Sequence, residues 1–177
     1  MVSILVGFLN WLYNKIIAKI PFHAIRIFFL RLRVSEIGKG SAILLNVKFR
    51  IHKNISIGNH TIINNDVLLD GRGGTVTIGN NVDIAQETNI WTLQHDLHDD
   101  YHNSKGGPVI IEDFAWIASR VTILPGVKIG RGAVVACNSV VTKDVESMSV
   151  VAGIPARKIG DRRSNLLYTL KHAPWFE

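Results

Sequence analysis

One short segment concentrates the side chains that can move protons or hold metal ions. His95 lies in the string Leu93-Gln94-His95-Asp96, and it is followed by His98, Asp99, Asp100 and His102. A neutral imidazole can accept a proton from a hydroxyl group near neutral pH, so His95 is a candidate general base. Asp96 is a candidate for orienting either the imidazole or a bound substrate. The alternative is a solvent-exposed loop with no chemical task.

A metal site is the second possibility for this segment. Its three histidines could in principle supply nitrogen ligands to zinc. Mixtures of histidine and aspartate are common in solvated loops, however, and we expect no metal here. The single cysteine, Cys137, excludes an intramolecular disulfide and a cysteine-based zinc cluster. It is also a poor candidate nucleophile, because no basic partner is near it in sequence.

The positive charge of the chain is confined to its beginning. Of the net charge of +6, residues 1–35 contribute five basic side chains and no acidic one, whereas the remaining 142 residues carry 15 basic and 14 acidic side chains. The nearly neutral remainder is a poor binder of polyanions, so we expect no nucleic-acid partner.

The elements that must position His95 follow from a repeat of six residues. From Ile111 onward a branched apolar residue recurs at every sixth position, and a small or medium residue follows it by four. The leading positions are Ile111, Ile117, Ile123, Ile129, Val135 and Val141. The same pattern occurs earlier at Ile57, Ile63, Leu69, Ile78, Ile84 and Ile90. It predicts short strands and turns wound into a solenoid, with the leading residue of each hexad pointing inward.

Two irregularities interrupt the earlier hexads. The segment 71–74 contains three glycines and inserts extra residues. Ile37, Ile43 and Phe49 fit one more coil if the register slips by two residues near Ile55.

The first 35 residues predict two helices separated by Pro21. Polar residues interrupt the apolar run well short of the roughly 20 residues of a membrane span. Aromatic and aliphatic residues interleaved with only positive charge suit a helix that lies on an anionic membrane, so residues 1–34 are a possible membrane contact. Covering the open end of the solenoid, or packing between subunits, is the alternative.

Several strings in the second half of the chain resemble the hexapeptide-repeat acyltransferases, in the branch of the maltose, galactoside and colanic-acid O-acetyltransferases. They are Trp116-Ile117-Ala118-Ser119, Ile123-Leu124-Pro125-Gly126-Val127, Val141-Thr142-Lys143-Asp144 and Ala152-Gly153-Ile154-Pro155-Ala156-Arg157. The resemblance implies an all-β fold: a left-handed parallel β-helix of hexapeptide repeats with N-terminal helices and a short C-terminal helix. We expect helices in 1–35, the β-helix in 36–160 with an extruded loop at 96–107, and a helical cap in 161–177.

The resemblance also implies roles for individual residues. His95 would be the catalytic base, the backbone N–H of Ser119 would stabilise the oxyanion, and Trp116 would line the acceptor side. Asn65 would contact the acceptor. Asp96, where the family often has proline, is an acceptor-side candidate from its own chemistry and not from the resemblance. The co-substrate acetyl-CoA would be bound by Ala136, Cys137, Thr142, Lys143, Arg157 and Lys158. The implied assembly is a homotrimer with sites between subunits. The single cysteine fits a reducing compartment, so we expect the protein in the cytoplasm, and contact through residues 1–34 would place it on the inner face of the membrane.

The expected reaction is therefore acetyl transfer from acetyl-CoA to a hydroxyl of a sugar or surface-polysaccharide precursor. N-acetylation of a nucleotide-linked amino sugar and a non-catalytic β-helix scaffold are the alternatives. A zinc enzyme on this fold would need histidines on neighbouring coils, and residues 111–146 contain none.

Overall fold

The computed structural model describes residues 4–176 as two helices followed by a parallel β-helix of five turns. The helices are α1 (Ile4–Lys15) and α2 (His23–Arg31), with short 3₁₀ turns at Ile17–Lys19 and His52–Asn54. The strands are β1 (Glu36–Ile37), β2 (Ala42–Ile43), β3 (Lys48–Arg50), β4 (Ile55–Ile57), β5 (Ile62–Ile63), β6 (Leu68–Asp70), β7 (Val76–Ile78), β8 (Asp83–Ile84), β9 (Asn89–Trp91), β10 (Leu93–His95), β11 (Ser104–Gly106), β12 (Val109–Ile111), β13 (Trp116–Ile117), β14 (Thr122–Ile123), β15 (Lys128–Ile129), β16 (Val134–Val135), β17 (Val140–Val141), β18 (Ser149–Gly153) and β19 (Ala156–Asp161).

Each turn contributes one strand to each of three sheets. Sheet A has the order β1-β4-β7-β12-β15, sheet B the order β2-β5-β8-β13-β16-β18-β19, and sheet C the order β3-β6-β9-β14-β17. All of these pairs are parallel except β18 with β19. The expected fold of stacked hexapeptide coils is confirmed.

The core of the β-helix consists of the leading residues of the hexads. Ile117, Ile123 and Val135 are fully buried, and the residues at the other leading positions from Ile43 onward are at most 2% exposed. Fully burying such a side chain contributes about 1.5–3 kcal/mol, so the stacked columns supply most of the favourable free energy of folding.

The two irregularities of the repeat have structural explanations. Ile37 pairs with Ile57 rather than with the residue eighteen positions later, because the 3₁₀ turn at His52–Asn54 accommodates two extra residues. The expected slip near Ile55 is therefore confirmed. The second irregularity, at Gly71–Gly74, forms a bend between β6 and β7.

The N-terminal helices cover the open end of the first coil. Tyr13, Ala18 and Leu30 are buried in the same apolar cluster as the hexad residues. Arg26 is also buried, and its guanidinium donates hydrogen bonds to the carbonyls of Ile20 and Ile43. The capping role considered for these helices is confirmed.

The expected C-terminal helix is wrong for the described residues. From Arg162 to Phe176 the chain runs along the β-helix and contains no helix. The Arg162 side chain donates to the carbonyls of Phe114 and Gly132, and Leu170 N–H donates to the Asn81 side chain. These long-range hydrogen bonds outweigh the local helical preference that the residues of the tail suggested.

Candidate functional site

His95 lies on a β-hairpin that projects from the body. Strands β10 and β11 pair antiparallel, with His95 opposite Ser104, and the hairpin leaves the β-helix after β9 in sheet C and rejoins it at β12 in sheet A. His95 therefore ends the outgoing strand, and its side chain is exposed. The projecting segment begins at Leu93, three residues before the expected loop boundary at Asp96.

The orientation and tautomer of the His95 ring follow from its contacts with His102. Its Nδ1 lies 2.9 Å from the His102 carbonyl oxygen, and the two rings stack at 3.8 Å between centroids. A carbonyl oxygen can only accept, so Nδ1 carries the proton and Nε2 keeps a lone pair. This arrangement leaves Nε2 available as a proton acceptor.

Carboxylates hold the tip of the hairpin. Asp99 accepts from the backbone N–H groups of Tyr101 and Asn103, and these bonds lower its pKa. Asp96 accepts from the N–H of His98 and pairs with Lys105 at 3.4 Å; the His98 bond is the main cause of its lowered pKa. Asp96 therefore bonds to other groups of the hairpin. The His95 ring is oriented by the His102 carbonyl instead.

The glycine insertion supports the base of the hairpin. A Cβ added to Gly73 would lie 2.2 Å from the Thr92 carbonyl oxygen, and one added to Gly106 would lie 2.4 Å from the Gly73 oxygen. Gly73 N–H also donates to the Thr92 hydroxyl. Only glycine allows these backbones to approach so closely, so the insertion sets where the hairpin leaves the body.

Ser119 lies in the turn that leads from sheet B to sheet C. Its carbonyl accepts from Asn138 N–H at 3.0 Å, but within residues 4–176 no acceptor is bonded to its own N–H. The N–H groups of Gln86 and Cys137, at the equivalent turn positions of neighbouring coils, also have no acceptor among these residues. A column of backbone donors therefore runs along this corner and can bind carbonyl oxygens or an oxyanion.

Trp116 lies beside this corner on the outer face of sheet B. It is about half exposed, and it pairs in register with Asp83 on one side and Val134 on the other. Asp83 accepts from the Asn64 side chain at 3.1 Å, and burial raises its pKa despite that bond. An aromatic ring next to a desolvated carboxyl group is a suitable surface for a polar, ring-shaped molecule.

His172, in the C-terminal tail, interacts electrostatically with both Asp83 and His23. The positive charge of His172 partly offsets the raised pKa of Asp83. Burial, together with nearby Arg26, lowers the pKa of His23, whose Nε2 accepts from Ile43 N–H. The outer face of sheet B therefore carries a polar cluster that includes residues from β8, α2 and the tail.

A groove of about 390 Å³ at the C-terminal end of the β-helix gathers three expected cofactor-binding cations. Lys143, Arg157 and Lys158 all line it. Lys158 is paired with Asp161 at 2.8 Å and with Glu146 at 3.5 Å, which raises its pKa, mainly through Asp161. Lys143 and Arg157 form no ion pair with any carboxylate in the described part of the chain. These two cations are available to an anionic ligand.

The remaining expected site residues are distributed along the corner between sheets B and C and at the end of sheet C. Ala136 and Cys137 occupy the turn one coil after Ser119, and Cys137 is exposed. Thr142 is exposed but does not line the groove. The Asn65 side chain accepts from Leu45 N–H at 2.9 Å and so supports the preceding coil.

Comparison with known proteins identifies the family. The sequence model of the protein family described as "bacterial transferase hexapeptide (six repeats)" matches residues 108–143. WcaF of Escherichia coli, named as a colanic acid biosynthesis acetyltransferase, is 34% identical over 137 residues, covering 77% of this chain and 75% of WcaF. This chain belongs to the hexapeptide-repeat acetyltransferases.

Two further relatives agree with this assignment. The galactoside O-acetyltransferase of Escherichia coli is 36% identical over 131 residues, which cover 71% of this chain and 63% of that enzyme. A hexapeptide-repeat acetyltransferase of Vibrio cholerae, whose crystal structure contains acetyl coenzyme A, superposes with a TM-score of 0.79 at 32% identity. That superposition covers 92% of this chain and 91% of the Vibrio protein.

A single chain of this acetyltransferase does not bring the expected catalytic groups together. Ser119 precedes β14, at the start of a sheet C strand, whereas His95 lies beyond β9, at the end of a neighbouring parallel strand. Three strand residues at about 3.3 Å each separate the two corners by roughly 10 Å, and the hairpin projects away from the body. Within one chain, His95 and Ser119 thus lie at opposite ends of the sheet C strands.

Sequence reasoning about this acetyltransferase missed Asp83 and the His102 carbonyl. The signal for Asp83 was present: it is an acidic residue among Ile62, Trp116 and Val134, the outward residues of neighbouring sheet B strands. The role of His102 could not be found from sequence, because it arises from a backbone carbonyl.

Proposed function

We propose that this protein is an acetyl-CoA-dependent O-acetyltransferase that acts on a hydroxyl of a sugar or surface-polysaccharide precursor, with His95 as the general base. The observation that carries the proposal is the His95 ring, which is fixed by the His102 carbonyl with Nε2 free, on an exposed hairpin of an acetyltransferase. The sugar acceptor is suggested by relatives named for colanic acid and galactoside acetylation.

The proposed reaction uses the backbone donors of the corner between sheets B and C. Nε2 of His95 takes the proton of the acceptor hydroxyl as its oxygen attacks the thioester carbonyl. The Ser119 N–H stabilises the oxyanion of the tetrahedral intermediate. The intermediate then expels the coenzyme A thiolate, which takes the proton from the imidazolium, so that the acetyl ester, free coenzyme A and neutral His95 remain.

The proposed path of the donor follows the exposed corner. The N–H groups of the column, including that of Cys137, can bond to the amide carbonyls of the pantetheine arm. Lys143 and Arg157, which have no carboxylate partner among the described residues, are suited to the phosphates at its other end. Lys158 is held by two carboxylates and would assist less.

The proposed assembly is a homotrimer in which the site forms between copies. Because His95 and Ser119 lie at opposite ends of the sheet C strands, His95 of one copy would meet the Ser119 corner of a neighbouring copy. Trp116 and Asp83 would then form the acceptor side of the same site. Closed cyclic symmetry allows every copy to give one hairpin and receive another.

The test is acetyl transfer by the His95→Ala variant. We expect its turnover of acetyl-CoA with a panel of sugars to fall about 10²- to 10⁴-fold, because the attacking hydroxyl loses its base. His98→Ala is the matched control, because His98 is exposed on the same hairpin and only its backbone N–H bonds to Asp96. Equal turnover by wild type and His95→Ala would refute the assignment of the base.

The product of the same assay decides between the proposed acceptor and the alternatives. Mass spectrometry of the acetylated sugar should locate an alkali-labile ester. An amide formed only with amino sugars would identify an N-acetyltransferase, and no transfer to any sugar or glycan would favour a scaffold.

A further inference from the structure

Both ends of the chain contribute to one apolar surface. Helix α1 exposes residues 4–8 and Trp11, with Ile4 at 93% and Trp11 at 51%, and the rings of Phe8 and Trp11 stack with 6.0 Å between their centroids. We call this region, together with the outward side of α2 and the aromatic pair Trp175 and Phe176, the terminal apolar surface. Arg33, just after α2, donates a hydrogen bond to the Asn10 side chain of α1, and the Phe22 ring, just before α2, contacts the Phe176 ring, so the three parts adjoin. Extended apolar exposure of this kind marks an interaction site.

Helix α2 has two apolar sides, of which only one packs on the β-helix. Ile27 and Leu30 are buried against the first coil. The opposite side carries apolar residues at helical spacing that remain exposed: Ile25, Phe28, Phe29 and Leu32. A helix that needed only to cover the end of the β-helix would carry polar residues there.

The C-terminal tail reaches the same region. The Phe176 ring contacts the Phe22 ring edge-on, with 5.6 Å between centroids, and the adjacent Trp175 is 80% exposed. Tryptophan side chains are favoured at the boundary between hydrocarbon and water, because their rings are both apolar and able to donate a hydrogen bond. The exposed tryptophans at positions 11 and 175 thus come from opposite ends of the chain.

The charges of the helical segment that contributes most of this surface have one sign. Lys15, Lys19 and Arg31 are exposed in the two helical regions. Residues 1–35 contain no aspartate or glutamate. Apolar side chains among basic ones match the interface of a bilayer that contains anionic lipids, where each basic side chain adds attraction.

The same charges argue against a second copy as the partner. A two-fold contact through this surface would bring the same three cations of each copy together, and residues 1–35 offer no carboxylate to pair with them. Like charges brought together in this way disfavour association.

We propose that the terminal apolar surface docks this protein on an anionic lipid bilayer, with the helices lying in the headgroup region. The helix α1 has twelve residues, and no helix among residues 4–176 combines the length and hydropathy of a transmembrane span. The docking is therefore peripheral, and it does not depend on the proposed acetyl transfer.

The test is vesicle binding by the full chain. The wild-type protein should sediment with vesicles of phosphatidylcholine that contain phosphatidylglycerol. The double variant Phe28→Ser with Leu32→Ser should bind these vesicles at least about tenfold more weakly. Both side chains are more than 60% exposed, so the fold should persist, as circular dichroism and the melting temperature would verify. Leu167→Ser is the matched control, because Leu167 is 88% exposed outside the surface.

A second pair of variants tests the charge. Lys19→Glu with Arg31→Glu should abolish the preference for anionic over pure phosphatidylcholine vesicles, whereas Lys39→Glu, outside the surface, should not. Absence of binding to anionic vesicles, or equal binding to both compositions by the wild type, would overturn the proposal. So would a wild-type oligomer in solution that the serine variants dissociate, because a second copy would then cover the surface.

Discussion

At the scale of single residues, a polar group is available to a ligand only where it has no hydrogen-bond partner within the chain. His95 has one ring nitrogen bonded to a carbonyl and the other available. Ser119 has a backbone N–H without an acceptor in residues 4–176, as do its equivalents in neighbouring coils. Since several coils offer such a donor, the choice of Ser119 depends on where the hairpin of another copy would lie.

The phosphate contacts proposed for Lys143 and Arg157 lead to a prediction about KM. Replacing both by alanine should raise the KM for acetyl-CoA at least about tenfold, because two charge-assisted hydrogen bonds are lost, while kcat at saturating donor changes little. Steady-state kinetics with varied acetyl-CoA measure both constants. Lys39→Ala is the control, and an unchanged KM in the double variant would place the phosphates elsewhere.

At the scale of elements, the hairpin and the glycine bend behave as one unit. The bend at Gly71–Gly74 has no catalytic side chain of its own, yet the hairpin stem rests directly on Gly73. A buried carboxylate, Asp70, further holds the bend by its bidentate contact with Arg72 at 2.8–3.1 Å. The position of His95 is therefore set from the coil below.

Gly73→Ala should impair catalysis without touching the acceptor or the donor. The added methyl group would meet the Thr92 carbonyl, so the hairpin must shift and the His95 ring with it; we expect kcat to fall about tenfold or more. Gly160→Ala is the matched control, because a Cβ there meets no atom within 4 Å. If kcat is unaffected by Gly73→Ala, the bend does not position the hairpin.

The attachment of the N-terminal helices should depend on pH through His52. This ring is 2% exposed, stacks on Phe49, and bonds through Nδ1 to the Asn10 side chain at 2.7 Å. Burial, with a smaller effect of Arg33, lowers the pKa of His52 from 6.5 to about 4. The unfolded chain therefore binds a proton at a higher pH than the folded one, and stability is lost as the pH falls from about 6.5 to about 4.

The expected loss is about 3 kcal/mol at most, and it should appear in denaturant unfolding measured across that pH range. Phe is a suitable replacement because His52 is surrounded by aromatic rings. The His52→Phe variant should lack this part of the pH dependence. An identical pH profile in wild type and variant would show that His52 titrates normally.

At the scale of the whole molecule, the β-helix separates His95 from Ser119, which the proposed reaction brings together. The hairpin lies at the C-terminal end of the sheet C strands, and the column of backbone donors lies at their N-terminal end. Because a rigid solenoid cannot fold back on itself, the proposed site would be completed by association of copies, as in the proposed homotrimer. The same rigidity leaves both ends of the chain free to form a surface with another task.

Subunit complementation tests whether the site is shared. His95→Ala lacks the base, and Ser119→Pro lacks the oxyanion donor, so each should be nearly inactive alone. In a mixed trimer one interface combines an intact His95 with an intact Ser119, and purified hybrids should recover about a third of the wild-type rate. Hybrids that stay inactive would place both groups in one subunit.

The coils, their inward residues and the two slips in register could all be predicted from the spacing of Ile, Leu and Val. Each hexad repeats a local rule, and a residue's inward direction depends on its own position within six residues. The family, the hairpin histidine and the basic residues at the end of the helix were likewise visible in short strings.

The remaining features of the fold and of the site depend on contacts between residues that are distant in sequence. The tail is not helical because Arg162 and Leu170 bond to turns far away in the chain, and the His95 tautomer depends on a carbonyl across the hairpin. The separation of His95 from Ser119 comes from the winding of complete coils. Such features arise from three-dimensional proximity, which a pattern of residue types along a line does not encode.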